Sequence, residues 1–539
     1  MKVRILSLVL CILIIAVSIV SCTPGQQGDE APPPSSGDNS VAGNVTDKEE
    51  SDRNEVMKPL TNDFLSRTAT EYKNINGKTV SLYNFFIDSN EAGNNPNFPQ
   101  AVLIYQCMRY KDAHPTENVS ITVTSFHLSV YLAACLDPES PEYGNMKNLF
   151  DEDYSEDGYY RLSYLLVEAA RKGIEVTVIG QIDASAVRMN DGTIRPDGDF
   201  DAYFTSHLKD SAYIEGKTVA DFMTFRKAYW LSYGDKSAAD MMHNKTLTVS
   251  NFIDNDGNEH GCAFWTGSIN LDGIHESGAN GNSGVQSAVV VVEHDELRRV
   301  AYNYTRLLAN YCKQEEAVVF RKLVNQMNTE QIALINAGKA SEIPADEQIV
   351  YLGTENDSVF ELYFSSFGGA QNSWDTVNNP YCKYLSKLSP SVSDTGYIEL
   401  IWNNVKYKQT FALTDMIIKY IANAFVANGR TDNTLSLHLP GMIVEDFADL
   451  TEGENIGTLS LNEYNIGYHI KDILLSYEEN GERHYVTVYN SLNIHEGSMA
   501  YQTNTVLVVN ETRATGNNNY VNYGIMTTPG IDFESKRIK

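Results

Sequence analysis

The stretch YYRLSYLLVEAARKGIEVTVIGQID, residues 159–183, changes its hydrophobic rhythm halfway along. Leu162, Leu165, Leu166 and Ala169 recur at the three-and-four spacing of one helix face. Gly173 is a residue able to end a helix at positive φ, and the following IEVTVIG reads as a buried strand. Upstream, VSITVTSFHLS (residues 119–129) alternates and is rich in β-branched residues, so it too is expected as a strand. Strand, helix, strand is an α/β unit.

Working outward, NKTLTVSNFID (244–254), CAFWTGSIN (262–270) and VQSAVVVVEH (285–294) predict three more strands. Residues 296–338 have helical periodicity and little turn chemistry, as a connector would. The order then repeats. A strand is expected over 359–367, a helix over 411–429 and a strand over 434–443. YHIKDILLSY, RHYVTVYNSLN and TNTVLVVNE supply three further strands. A chain of 539 residues with 42% hydrophobic content can bury the cores of two such halves.

Chemistry-bearing residues recur in step with that repeat. On a strand, residues i and i+2 share a face, so His243 and Lys245 are expected side by side, followed by Ser268 and Asn270 in TGSIN. The second copy has His469 and Lys471 in GYHIKDILLS, then Ser491 and Asn493 in NSLN. The interval from histidine to asparagine is 27 residues in the first copy and 24 in the second. Each third strand also opens near a glutamine, Gln286 or Gln502. A single His-x-Lys is a weak signal: His207 and Lys209 make another in SHLKD, without a Ser-x-Asn at comparable distance.

The doubled His-x-Lys with a later Ser-x-Asn resembles the signature of the phospholipase D superfamily. The segment 162–183 is similar to the helix and strand that precede the first motif there, and the likeness runs from about residue 100 to 510. It implies an α/β fold of two similar halves, each a mixed sheet flanked by helices, packed about a pseudo-twofold axis with one shared active site. The expected organisation is a first half at 61–295, a helical connector at 296–350 and a second half at 351–530, in a monomer that is an internal pseudo-dimer. Two departures stand out. Where the superfamily's motif ends in aspartate this chain has Ser250 and Ser476, a loss shared with tyrosyl-DNA phosphodiesterases, and Asn490 replaces the glycine before Ser491. The serine position lies an odd seven residues from the histidine, on the opposite strand face.

The resemblance implies a phosphodiesterase, hydrolysing or transferring, with His243 as nucleophile, His469 as acid, and no cofactor or metal. Lys245, Lys471, Asn270 and Asn493 suit the holding of anionic oxygens, with Ser268, Ser491, Gln286 and Gln502 around the substrate. His275-Glu276 and His495-Glu496 follow the two Ser-x-Asn segments; they read better as solvated loop residues than as pocket or metal groups. His127, at the end of the first strand, reads as a framework histidine.

The substrate is constrained by the ends and the charge. Met1-Lys-Val-Arg followed by the apolar run 5–20 reads as a signal peptide over 1–21. IVSC (19–22) resembles the lipobox of bacterial lipoproteins, so Cys22 is the expected lipidated anchor of an exported, cell-envelope protein. Residues 22–60, rich in Pro, Gly, Ser and acid, are expected as a flexible tether. A net charge of −29 counts against a nucleic-acid groove. A phospholipid diester at the membrane is therefore the first expectation, an extracytoplasmic nuclease the second, and a catalytically retired ligand-binding lipoprotein the third. Beyond Cys11 and Cys22, five cysteines at irregular spacing give no disulfide framework, though an exported protein has room for one bridge, and there is no CxxC metal signal.

Overall fold

The computed structural model describes residues 69–88, 97–128, 147, 154, 160–183, 200–228, 241–271, 285–312, 317–365, 375–387, 397–401, 434–440, 458–464, 471–480, 482–491, 502–512, 519 and 537–538. The expected leader, Cys22 and the expected tether lie outside these residues. So do the expected helix over 411–429, His469, Asn493, His275, Glu276, His495, Glu496 and the side chain of His127.

Two mixed sheets carry the chain. The first has eight strands: β1 (Thr70–Ile75), β2 (Lys78–Asp88), β3 (Ser120–Leu128), β4 (Glu175–Asp183), β5 (Met223–Lys227), β7 (Lys245–Ile253), β8 (Glu259–Gly267) and β9 (Val285–Val292). Their spatial order is β1-β2-β9-β8-β7-β3-β4-β5. The second contains β10 (Phe360–Ser365), β11 (Tyr397–Ile401), β12 (Thr434–Pro440), β13 (Thr458–Tyr464), β14 (Ile473–Glu479), β15 (Glu482–Asn490), β16 (Gln502–Glu511) and β17 (Arg537–Ile538). Its order is β10-β16-β15-β14-β11-β12-β13-β17, with the two-residue β6 (Met241–Met242) added on β16. From β2 to β5, and from β10 to β13, four antiparallel pairings are followed by two parallel ones. The strand order is thus the same in both sheets.

The unit at 162–183 forms as its rhythm dictates. Leu162, Leu165, Leu166 and Ala169 of α2 (Leu162–Arg171) are all buried. Gly173, at φ 84°, ends the helix. Its amide donates to Ala170 O and that of Ile174 to Ala169 O, so two otherwise orphaned carbonyls are satisfied. Each fully buried leucine here contributes about 1.5–3 kcal/mol. The longer α1 (Phe98–Ala113) is buried nearly all round, against β7 and α2. Because it is buried on nearly every side, with Gln100, Gln106 and Lys111 among its apolar residues, it has no amphipathic stripe to advertise it. β1 and β2 were also unexpected, and the signal for them is local. Asn76 and Gly77, with φ of 48° and 84°, form the two-residue turn that joins Ile75 to Lys78, the turn that Asn-Gly favours.

Between the sheets in sequence run α4 (Asp295–Tyr311) and α5 (Ala317–Asn336), where helical periodicity was expected; α3 (Phe200–His207) and α6 (Pro380–Ser386) are short. α4 is tied at its start: His294 Nδ1 accepts from Leu297 N at 3.3 Å, while Nε2 faces Asp357 Oδ2 at 2.9 Å. Asp357 also accepts from Tyr351 and from the amides of Val359 and Phe360. Burial raises the pKa of the Asp357 carboxyl, but the hydrogen bonds from His294, Tyr351 and Val359 outweigh it and hold it below the usual range. Cys107, Cys262 and Cys382 are free thiols.

Candidate active site

β7 begins only at Lys245, so His243 and Asn244 form the link between β6 and β7 rather than the start of a strand. Strand alternation is therefore not what brings His243 to Lys245. The two meet through the link: Lys245 Nζ donates to His243 O at 3.2 Å and lies 3.4 Å from His243 Nε2. Phe126 floors the pair, its ring centroid 4.8 Å from that of the imidazole and 5.5 Å from the Lys245 ammonium. His243 and Lys245 are 1% and 0% exposed. Burying an ammonium is expensive unless partners gather around it, so this position is built to hold charge.

The Ser-x-Asn segment is likewise a turn after its strand. Gly267 sits at φ 154°, and a Cβ there would lie 2.3 Å from Ser287 O. That close approach lets Ser268 N donate to Ser287 O at 2.8 Å, while Ser287 N donates to Ser268 Oγ at 2.9 Å. Ser268 Oγ in turn donates to Gln286 Oε1 at 2.9 Å. Asn270 is anchored through its backbone: Asn97 Nδ2, at the start of α1, donates to its carbonyl at 2.9 Å. Leu271 N donates to Ser125 Oγ.

In the second sheet, Lys471 and Asp472 stand just before β14, both 0% exposed. Asp472 Oδ1 accepts from Asn490 N at 3.1 Å, and the Asn490 amide donates to Lys471 O. Asn490 thus binds the lysine segment with the side chain that the first copy's glycine lacks. Ser491 repeats the first turn's pattern: its amide donates to Thr505 O, and its Oγ accepts from Thr505 N at 3.0 Å. Ser491 Oγ approaches Asn504 Oδ1 at 3.4 Å. The carboxamide that answers to Gln286 is therefore Asn504 and not Gln502, which instead pairs with Met241. Both carboxamides stand one residue before the partner of the serine.

The two segments cross. His243 N donates to Thr503 O at 2.8 Å, and Asn244 Nδ2 donates to Thr505 Oγ1 at 3.0 Å. In the other direction Ser287 Oγ donates to Asp472 Oδ2 at 2.7 Å. Each His-x-Lys region is thereby bonded to the strand that shapes the other copy's serine turn. None of these cross-links had a sequence signal short of knowing which strands would meet.

Other expectations resolve simply. Ser250 Oγ accepts from Ser120 N at 2.8 Å. Five residues along β7 from Lys245 is about 17 Å, so this serine belongs to the far end of the sheet. His207 ends α3, where its Nδ1 meets Asp210 Oδ2 at 2.9 Å. Among the described residues, no three His, Cys, Asp or Glu cluster as metal ligands would, and no helix is long and apolar enough to cross a membrane.

No family model matches the chain, and no curated protein matches it. Among solved structures 41 chains match. The chain is similar to a phosphatidylserine synthase from Haemophilus influenzae, with 10% identity and a TM-score of 0.43, over 84% of this chain and 87% of that one. It is similar to a polyphosphate kinase from Porphyromonas gingivalis, with 9% identity and a TM-score of 0.37, over 80% of this chain. It spans 48% of that kinase's length. A mutant of the yeast tyrosyl-DNA phosphodiesterase shares 11% identity at a TM-score of 0.33, over 74% of this chain and 86% of the other.

Proposed function

We propose that the protein is a phospholipase D-like phosphodiesterase, its two halves related by a pseudo-twofold axis and sharing one site. The observation that carries this reading is the crossing just described. Two buried lysines, each beside a serine turn, sit in segments that are hydrogen-bonded to each other's sheets. Such a cluster suits a tetrahedral anion: Lys245 and Lys471, with the carboxamides of Asn270 and Asn493, would hold its non-bridging oxygens and the charge that develops on them.

In the proposed reaction His243 Nε2 attacks phosphorus, and the bond to the leaving alkoxide breaks as His469 gives that oxygen a proton. The phosphoryl group carried on Nε2 would lie against the Lys245 ammonium, already 3.4 Å away. His469 then takes a proton from water or an acceptor alcohol, whose oxygen attacks phosphorus and releases His243. The serine at 250 does not impair this scheme, since Ser250 is spent on Ser120 at the far end of its strand. The substrate we favour is a phospholipid. The leader and the Cys22 lipobox support an exported, membrane-anchored enzyme, and the charge of −29 counts against polyanions.

The test is hydrolysis of bis(p-nitrophenyl) phosphate by the purified full chain, with His243→Ala and His469→Ala each expected to abolish turnover. Activity retained in both variants overturns the site. Parallel assays on phosphatidylcholine vesicles and single-stranded DNA separate lipid from nucleic-acid substrates, and a wild-type chain inactive on all three points to a retired site.

A further inference from the structure

Asn244, between His243 and Lys245, turns its carboxamide to the second sheet and to α4, where both its oxygen and its nitrogen are bonded. Its Oδ1 accepts from Thr503 Oγ1 at 3.0 Å and from Tyr304 OH at 2.9 Å, and its Nδ2 donates to Thr505 Oγ1 at 3.0 Å. Asn244, Thr505 and Tyr304 are all 0% exposed, and Thr503 is 2% exposed. Two of these partners belong to β16 of the second sheet. The third comes from α4.

Tyr304 is itself held. Its ring stacks on Phe364 of β10 at 4.2 Å and 13°. The neighbouring Asn303 fastens the same turn of α4 through bonds to Ala345 O and Gln348 O at 2.8 and 3.0 Å. Burial pushes the tyrosine's pKa up, outweighing the Thr503 hydroxyl that lowers it, so the phenol stays a donor. A buried carboxamide with both ends satisfied fixes the backbone on either side of it. Catalytic groups need such support to within a fraction of an ångström.

We infer that Asn244 and Tyr304 are positioning residues, which lock the His243–Lys245 link onto the second sheet and couple α4 to the active site. The inference rests on the proposed function for its kinetic consequences, though not for its geometry. Tyr304→Phe removes one hydroxyl and leaves the stack on Phe364. In the full chain acting on bis(p-nitrophenyl) phosphate, it is expected to lower kcat about tenfold, the scale of one lost charge-free hydrogen bond, with KM unchanged. Asn244→Ala should lower kcat further. Because both substitutions empty the same bond, the double variant should lose no more than Asn244→Ala alone. Tyr302→Phe, two residues earlier on the opposite side of α4 and bonded to Glu175, should keep the wild-type kcat.

A second readout needs no turnover. The rate at which diethyl pyrocarbonate modifies His243, followed by peptide mapping, should rise severalfold in Tyr304→Phe while the thermal midpoint stays close to wild type. A wild-type chain inactive on diesters defeats the proposed function and leaves this second readout to decide the inference. An unchanged His243 rate in Tyr304→Phe overturns the inference. So does a kcat loss in the double variant equal to the product of the single losses.

Discussion

Replacing Gly267 with alanine should open the first serine turn. The added Cβ would lie 2.3 Å from Ser287 O, 2.7 Å from Ala288 Cα and 3.1 Å from Ser287 C, all backbone atoms of the paired strand. A carbon–oxygen contact is comfortable near 3.3 Å or beyond, so β8 and β9 must part by about 1 Å at their shared end. A non-glycine residue at this φ costs about 1–3 kcal/mol and overpacking about 1–3 more. Loosening the two bonds between Ser268 and Ser287 adds roughly 0.5–1.5 kcal/mol each. Allowing for overlap among these, a loss of about 3–6 kcal/mol is expected, a large part of a typical folding free energy. Urea unfolding followed by tryptophan fluorescence, to which the buried Trp265 on β8 contributes, reads it. With a slope near 3 kcal/mol/M the midpoint should fall by about 1–2 M. Diester hydrolysis should fall as well, since Ser268 and Asn270 move with the turn. A Gly267→Ala chain with the wild-type midpoint would refute the close approach on which the geometry of this turn depends.

Lys245→Met should cost at least about a hundredfold in turnover, as the loss of a charge-stabilising group does, while urea stability stays level or rises because a buried ammonium is gone. Ser250→Asp, which restores the acid of the resembled motif, should change kcat by less than about twofold, because its site is about 17 Å along the strand from Lys245; a gain in kcat of about tenfold would contradict this. The Asp357 carboxyl is held below its ordinary value, so its contribution is complete above the unfolded pKa, about 3.9, and is lost as pH falls through the folded one. The gap in urea midpoint between wild type and Asp357→Asn should therefore be widest near neutral pH and narrow below about pH 4.

What was legible in the chain was whatever a local pattern encodes. Alternating β-branched runs located β3, β7 and β9, and the spacing of Leu162, Leu165, Leu166 and Ala169 with Gly173 located α2. α1 escaped because a helix buried all round has no polar face to set its period. β1 and β2 escaped although Asn76-Gly77 marks their turn. In the site, residue types were readable and geometry was not. His243 and Ser268 lie just outside the strands expected to carry them, and Gln502 was matched by its nearness to a strand start where the hydrogen bonds select Asn504. Asn244 and Asp472 were passed over since their importance comes from residues 261 and 185 positions away.

That separation also sets a schedule for making the protein. Asn244 waits for Thr505, 261 residues later. At about 5–20 residues per second of synthesis, the His243 segment exists for roughly 13–50 s before its clasp leaves the ribosome. During that interval β6 lacks β16, the strand it pairs with, and the first sheet can form with its motif unfastened. The link at His243 and Asn244 is thus the part of the first half that reaches its final hydrogen bonds only when nearly the whole chain has been made.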